Sequence, residues 1–436
     1  MLTAFGRAFK TPDLRNKLLF TLGIIVIYRL GVFIPAPGVS YGNVQQCLNT
    51  ITASGGIYDM INLFSGGALL QLSIFALGVM PYITASIIVQ LLRVVIPRFQ
   101  QLHEEGAQGQ TKLTQYTRYL TILLALLNAT TIVSLARSGM LLQGCTLPVI
   151  PEDGFLNILL IITTLTAGTG VVMWLGEQIT EKGVGNGMSL LIFTSIAASF
   201  PGAFGAILQA QGWGIFSAVI AVGLVLIVAV VFVEQSQRRI PVQYAKRMIG
   251  RRTIGGTTTY IPLKVNMAGV IPIIFASSML MVPGLLAQFN TPSDGSAPPE
   301  WVNWVKANLT MGDKPLYMVL YFLMILGFAY FYVSITFDTE EVADNMKKYG
   351  GFIPGIRAGR PTQEYLSYVL NRITLPGAIY VAFLALIPLI AFVLFGANQN
   401  FPLGGASLLI VIGVGLDTIK QIDAQLQQRN YEGLLR

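Results

Sequence analysis

The chain has 436 residues, 53% of them hydrophobic and only 11% charged, with a formal net charge of +8. Soluble domains carry about 25% charged residues, so this composition excludes a water-soluble globular protein and points to a polytopic helical membrane protein. The apolar blocks are continuous runs, which excludes the weak alternation of an outer-membrane barrel. Retention of Lys and Arg on the inner side accounts for the positive charge without nucleic acid.

Taken in chain order, the apolar runs predict spans at about 18–36, 72–92, 119–137, 154–175, 187–206, 213–233, 267–288, 315–336, 373–395 and 403–421. The first is too long for the apolar core of a signal peptide, and no A-x-A-like site ends it. The second follows a break. From Met60 to Leu92 the chain runs 33 residues without a charge, interrupted by Ser65-Gly66-Gly67. Leu72 to Leu92 fills one span, whereas Ile57 to Phe64 is too short to cross and too apolar for an ordinary exposed loop. Non-spanning backbone at membrane depth is tolerated only inside protein or along a water-filled cavity. The tract therefore predicts a membrane protein with a hole and a short helix lying in it. Further on, Gly183 to Val233 is 51 residues without a charge and must hold two spans, with a turn expected near Pro201-Gly202. Ile373 to Leu416 is 44 residues and holds two more, turning at Gly396-Ala397-Asn398-Gln399-Asn400. The total is about ten.

Orientation follows from Lys and Arg. Numbering the loops from the N-terminus places 24 of the 28 basic residues on one side, Arg137, Lys306 and Lys314 on the other, and Arg29 within a span. Both termini are therefore expected to face the cytoplasm. Two loops on that side exceed mere connectors. Gln235 to Asn266 alternates like a strand at Arg239–Tyr244 and at Tyr260–Val265, which predicts a hairpin-like arm. Asp338 to Asn371 opens on Glu340-Glu341 and then becomes turn-rich and basic from Gly350 to Pro361. Phe289 to Lys314, an external loop with Pro298-Pro299, is expected to be less structured. Cys47 and Cys145 both fall in external loops; two unrelated small core residues is the favoured reading over a disulfide.

Chemistry-bearing motifs are sparse. His103 stands alone, so no His/Cys cluster holds a metal, and no G-x-x-x-x-G-K-[ST] motif binds a nucleotide. Neither a cofactor nor an enzyme is expected. Gly183-Val184-Gly185-Asn186-Gly187 lacks the preceding strand and following Lys of a phosphate loop, so it reads as a turn entering a helix. Arg29 is a functional candidate because an intramembrane charge is costly. A structural role is favoured, reaching the interface or capping a neighbouring helix end. An ion-coupled secondary transporter needs buried carboxylates, but Asp59 lies at the mouth of the short helix, Glu177 and Glu234 at span edges, and Asp417 near the cytoplasmic end of the last span. That reading is kept only as the alternative. Val79, Ile83, Ile192, Ile274 and Ile410 are ordinary apolar residues taken singly; no pore follows from them without a fold.

Several motifs stand together in one order: Tyr28-Arg29-Leu30-Gly31-Val32-Phe33-Ile34-Pro35-Ala36-Pro37-Gly38, Asn62-Leu63-Phe64-Ser65-Gly66-Gly67, Ala76-Leu77-Gly78-Val79-Met80-Pro81-Tyr82-Ile83, Gly176-Glu177-Gln178-Ile179-Thr180-Glu181, Gly185-Asn186-Gly187, Leu263-Lys264-Val265-Asn266-Met267-Ala268-Gly269-Val270-Ile271-Pro272 and Pro354-Gly355-Ile356-Arg357. On these the chain resembles the SecY family, the central channel subunits of the bacterial protein translocase, from Arg15 to the C-terminus.

The resemblance implies an all-α membrane protein of about ten transmembrane helices in two pseudo-symmetric halves around an hourglass pore. The halves would be residues 1–206 (spans one to five, with a plug at 57–67) and 207–436 (spans six to ten, with the loops 235–266 and 338–371). Matching positions give an apolar pore ring of Val79, Ile83, Met188, Ile192, Ile274 and Ile410, where Val79 and Met188 depart from the usual Ile. They give a plug that includes Ile57, Met60, Ile61, Asn62, Leu63, Phe64, Ser65, Gly66 and Gly67. A lateral gate would part between the second and third spans on one side and the seventh and eighth on the other, with Thr84 and Asn266 as polar positions near it. Arg251, Arg252 and Arg357 would dock the SecA motor or the ribosome. The implied function is translocation of unfolded chains and sideways release of hydrophobic segments into the lipid bilayer. Implied partners are SecE, SecG, SecA, the ribosome, signal peptides and nascent chains, at the bacterial inner membrane.

Overall fold

Backbone in hydrocarbon must satisfy its own hydrogen bonds, and the apolar runs of this chain do so as helices. The structure, a computed structural model, describes residues 11–50, 66–137, 147–151, 154–244, 247–249, 252–254, 258–290, 298–309, 314–395 and 405–434. Plug residues Ile57 to Ser65, Cys145, Arg251 and the expected turn at Gly396–Asn400 lie outside these. In chain order the elements are α1 (Pro12–Val32), α2 (Tyr41–Thr50), α3 (Met80–Val95), α4 (Pro97–Glu104), α5 (Ala107–Arg137), α6 (Phe155–Lys182), α7 (Gly187–Gln209), α8 (Gly212–Gln235), β1 (Gln237–Tyr244), β2 (Arg247–Ile249), β3 (Arg252–Ile254), β4 (Thr258–Lys264), α9 (Ile271–Phe289), α10 (Glu300–Leu309), α11 (Pro315–Thr336), α12 (Thr339–Lys348), β5 (Gly351–Phe352), α13 (Arg360–Phe395) and α14 (Gly405–Leu434). Among the described residues six helical stretches are long and apolar enough to cross a membrane, or seven if α3 and α4 count as one bent span. That pair bends by 98°, because Ile96 precedes Pro97 and is held extended.

The chain forms two compact units. One runs to Phe216 and includes the last helix from Ile410; the other begins at Ser217. In the first, the second span is not a helix from Leu72, as expected. Residues 66–79 form successive turns, and the helix begins only at Met80, with Pro81 in its first turn. Gly66, Gly67, Gly78 and also Leu72 have positive φ, which no helix accommodates. The turns find partners on the chain leaving α1. Ala36 donates its N–H to the Leu72 carbonyl (2.9 Å), Ile74 donates to Ile34 (3.0 Å), and Pro35 bridges Ser73. Phe75 enters the notch left by Gly31 of α1 and stacks on Tyr28, ring centroids 5.8 Å apart. On the other side Gly168 of α6 admits the Ile74 carbonyl.

Three other expectations change. The turn expected at Pro201-Gly202 lies instead at Gly212, since α7 continues through Pro201; Gly212 adopts φ 77°, ψ 178°, open essentially to glycine alone. The loop after α9, expected to be less structured, carries a helix, α10, which buries Val302 and Leu309. Cys47 is buried and disulfide-bonded rather than a lone core residue. The strands of chain around it converge for a visible reason: Ser40 N–H donates to the Val149 carbonyl (3.0 Å) and Asn43 Nδ2 to the Pro148 carbonyl (2.8 Å).

In the second unit the alternation after α8 becomes an antiparallel pair, β1 with β4, in the register Gln237↔Lys264 to Gln243↔Thr258, tipped by the β2–β3 hairpin. β5, from the later basic loop, pairs with the other edge of β1 at Gln243↔Phe352 and Tyr244↔Gly351. The two loops thus share one sheet. Ile240, Val242 and Leu263 from its strands pack with Met346, Ile353, Leu366 and Val369. Among the helices of this unit, Phe275 of α9 stacks on Phe328 of α11 at 5.2 Å, and Phe322 of α11 meets Phe383 of α13.

A Cβ at Gly168 would lie 1.9 Å from the Ile74 carbonyl oxygen, whereas one at Gly170 meets nothing within 4 Å. Gly168→Ala is therefore expected to destabilise the protein by roughly 1–3 kcal/mol, and Gly170→Ala to be neutral or stabilising. Thermal unfolding of the two variants in mild detergent distinguishes them.

Candidate functional site

The site forms where the second span breaks. Gly66, the first described residue of the turns, lies between α1 and α7. Its carbonyl accepts a hydrogen bond from Arg29 Nη1 at 3.2 Å. A Cβ on Gly66 would come within 3.1 Å of the Ser195 Cα, so α7 backs it closely. Ser195 is buried and shares a 2.8 Å hydrogen bond with the Tyr28 hydroxyl, the residue beside Arg29. Ser195 has no signal in the sequence: it is one of three serines in its apolar span, and nothing in residue order sets it apart.

Five of the six expected ring residues belong to the first unit and Ile274 to the second. Val79 caps the start of α3, and Ile83 lies one turn on, its N–H donating to the Val79 carbonyl (3.1 Å). Met188 and Ile192 are likewise one turn apart at the start of α7, and Ile410 is in α14. Val79, Met188, Ile192, Ile274 and Ile410 are buried, and Ile83 is half-buried. The Met188 thioether lies against Gly176 of α6, where a Cβ would meet the sulfur at 2.6 Å. The Gly183–Gly187 turn is built to deliver these residues. Gly187 N–H donates to Thr180 Oγ1 (2.9 Å), and Met188 N–H to Asn186 Oδ1 (3.1 Å).

The two polar positions differ. Thr84 Oγ1 is satisfied within its own helix by the Met80 carbonyl (3.0 Å). Asn266 is buried and bridges elements: its Nδ2 donates to Glu234 Oε1 of α8 (2.7 Å), and its Oδ1 accepts from Gly269 N–H (3.0 Å) ahead of α9. Glu177 is equally committed, held by both Nε and Nη2 of Arg118 at 2.8 Å. Of the basic residues, Arg357 is exposed in the turn between β5 and α13, where its carbonyl accepts from Thr362 Oγ1 (2.8 Å). Arg252 opens β3.

These features define a helical membrane protein with a broken second span and a basic β-arm. The chain belongs to the SecY family, whose family model matches residues 73–419. It is 63% identical over 437 residues to the protein translocase subunit SecY of Micrococcus luteus, and 63% identical over 442 residues to that of Streptomyces galbus, each alignment covering 100% of both chains. Its fold is similar to a solved structure described as that of a protein-conducting channel, with a TM-score of 0.63 at 19% identity, covering 93% of this chain and 91% of that one. A second, described by a plug domain of SecY that stabilises the closed channel and maintains a membrane seal, has a TM-score of 0.60 at 18% identity with the same coverage.

Asn266→Ala removes its bonds to Glu234 and to the Gly269 backbone and is expected to cost roughly 1–3 kcal/mol. Asn266→Asp is expected to cost more at neutral pH, because a second carboxylate then faces Glu234. Unfolding in detergent, with α8 and α9 otherwise untouched, reads the order of the two variants.

Proposed function

We propose that the chain is the channel subunit of a protein translocase, conducting unfolded polypeptides across a membrane and releasing hydrophobic segments sideways into lipid. The observation that carries this is the broken second span. Its non-helical part is largely buried and hydrogen-bonded against the chain leaving α1, the arrangement expected of backbone that lines a cavity. Small apolar side chains at a constriction offer no fixed chemistry, so any polypeptide passes, and when the constriction is empty it dewets and blocks ions. Val79, Ile83, Met188, Ile192, Ile274 and Ile410 form that ring, with residues 57–67 as the plug. Ten spans in two halves, 1–206 and 207–436, enclose the pore, with Thr84 and Asn266 near the lateral gate. The membrane is the bacterial inner membrane, with both termini in the cytoplasm.

The basic loops are the docking platform. Joining β1, β4 and β5 in one sheet fixes the arm and the Arg357 turn relative to each other. Arg251, Arg252 and Arg357 then engage the SecA motor or, through its RNA phosphates, the ribosome. SecE and SecG complete the complex. An ion-coupled transporter finds no support: Glu177 is held by Arg118 and Glu234 bonds Asn266, so neither carboxylate is poised to exchange an ion.

Replacing Ile83, Ile192 and Ile274 together by Ser is expected to raise resting ion conductance in planar bilayers by about tenfold or more, since hydroxyls keep the constriction wet. An unchanged conductance overturns the ring. Arg357→Glu is expected to abolish motor-driven precursor import into proteoliposomes while the reconstituted amount and the melting temperature stay those of the parent. Normal import would remove Arg357 from the docking surface.

A further inference from the structure

Neither the ring nor the docking platform uses α10. With 10 residues this helix is too short to cross a membrane. Pro298-Pro299 precede it, and the Val302 N–H donates to the Pro299 carbonyl (2.9 Å). Glu300 stands in its first turn and Lys306 in its last, each matched to the helix dipole. Within the second unit it packs on α9 and touches α11. Its inner face is Val302 and Leu309, both buried, with Val305 and Lys306 half-buried between them. The two remaining flanks differ in chemistry. Trp301 and Trp304, three residues apart, share one flank and are 48% and 53% exposed. Glu300 and Asn303 share the other flank and are exposed as well.

Three demands have to be met together. Two neighbouring indoles are a large apolar surface to leave in water. Each also carries an N–H that hydrocarbon cannot satisfy. Glu300, on the same short helix, excludes immersion of the whole element in hydrocarbon. The layer between headgroups and acyl chains meets all three, and tryptophan is enriched there. The helices beside α10 lead to that layer. α11 is long and apolar enough to cross a membrane. Leu316 in its first turn, and Val319 and Leu323 on the same face, are exposed. Leu286, near the end of α9, is exposed too. α10 therefore sits at the ends of two helices whose outward faces are apolar.

We propose that the Trp301–Trp304 flank of α10 is a membrane-docking surface, and that its occupant is the headgroup–acyl boundary of the bilayer. Glu300 and Asn303 face the water. Because α10 packs on α9 and touches α11, the contact holds the ends of both helices at the depth of that boundary.

The test uses the full chain in proteoliposomes and in native membrane vesicles. Trp174 and Trp213, both exposed, are replaced by Phe, which leaves Trp301 and Trp304 as the only tryptophans. In proteoliposomes, lipids brominated near the carbonyl end of their acyl chains are expected to quench most of the emission. Lipids brominated near the methyl end, and acrylamide in the water, are each expected to quench less. Asn303→Cys and Trp304→Cys are then treated with a water-soluble maleimide present on both sides of the membrane. Asn303→Cys is expected to label as fast as in denaturant, and Trp304→Cys about tenfold more slowly, because the reactive thiolate forms poorly away from water. Where Trp304→Cys lowers the melting temperature, Trp301→Cys replaces it, and the quenching needs neither substitution. Dominant quenching by acrylamide with no protection of Trp304→Cys puts the flank in water and overturns the proposal. Deep bromines quenching more than shallow ones, or protection of Asn303→Cys as well, puts the helix in hydrocarbon or inside protein and also overturns it. Protection of Trp304→Cys in native vesicles that vanishes when the chain is reconstituted alone makes a protein partner the occupant, and overturns it too.

Discussion

An unsatisfied peptide group costs several kcal/mol in hydrocarbon, and the second span of this protein is not a helix for its first fourteen described residues. The packing of α1, α6 and α7 meets that demand. The turns from Gly66 to Val79 exchange hydrogen bonds with the chain after α1, so α1 must end at Val32 and continue as an extended partner. The Ile74 carbonyl presses into α6, so α6 must carry a glycine at 168. Tyr28, Gly31 and Phe75 then interlock, and Ser195 of α7 closes the cradle. Three helices are arranged around one stretch of irregular backbone.

The second unit solves a different problem. Pairing its two basic loops in a single sheet lets both share one small core. Glu234 and Asn266 then tie the base of that arm to the ends of α8 and α9.

Much of this was legible from residue order. Charge-free runs mark the helices, and period-two alternation at Arg239–Tyr244 and Tyr260–Val265 marks β1 and β4. What misled was local punctuation. Pro201-Gly202 looks like a turn yet lies within α7, because a proline in a span is tolerated where neighbours satisfy the freed carbonyl. The run Leu72 to Leu92 is apolar enough for a full helix, but hydropathy does not register backbone sign. Positive φ at Leu72 and Gly78 ends any helix there. The polar loop after α9 hid α10 because its helical face is a short one, anchored by Val302 and Leu309.

The sequence by itself determined the solvent. Eleven per cent charge and long apolar runs leave the chain no fold in water, and transfer free energy is a sum over residues that needs no coordinates. It also determined that the run before Leu72 could not be an ordinary span or an ordinary loop. Only the tertiary structure decided what holds Gly66, where the described part of that run begins. The Gly66 carbonyl meets Arg29 across 37 positions of sequence and Ser195 braces Tyr28 across 167. A hydrogen bond is a matter of ångströms and direction, and separation along the chain carries no information about either.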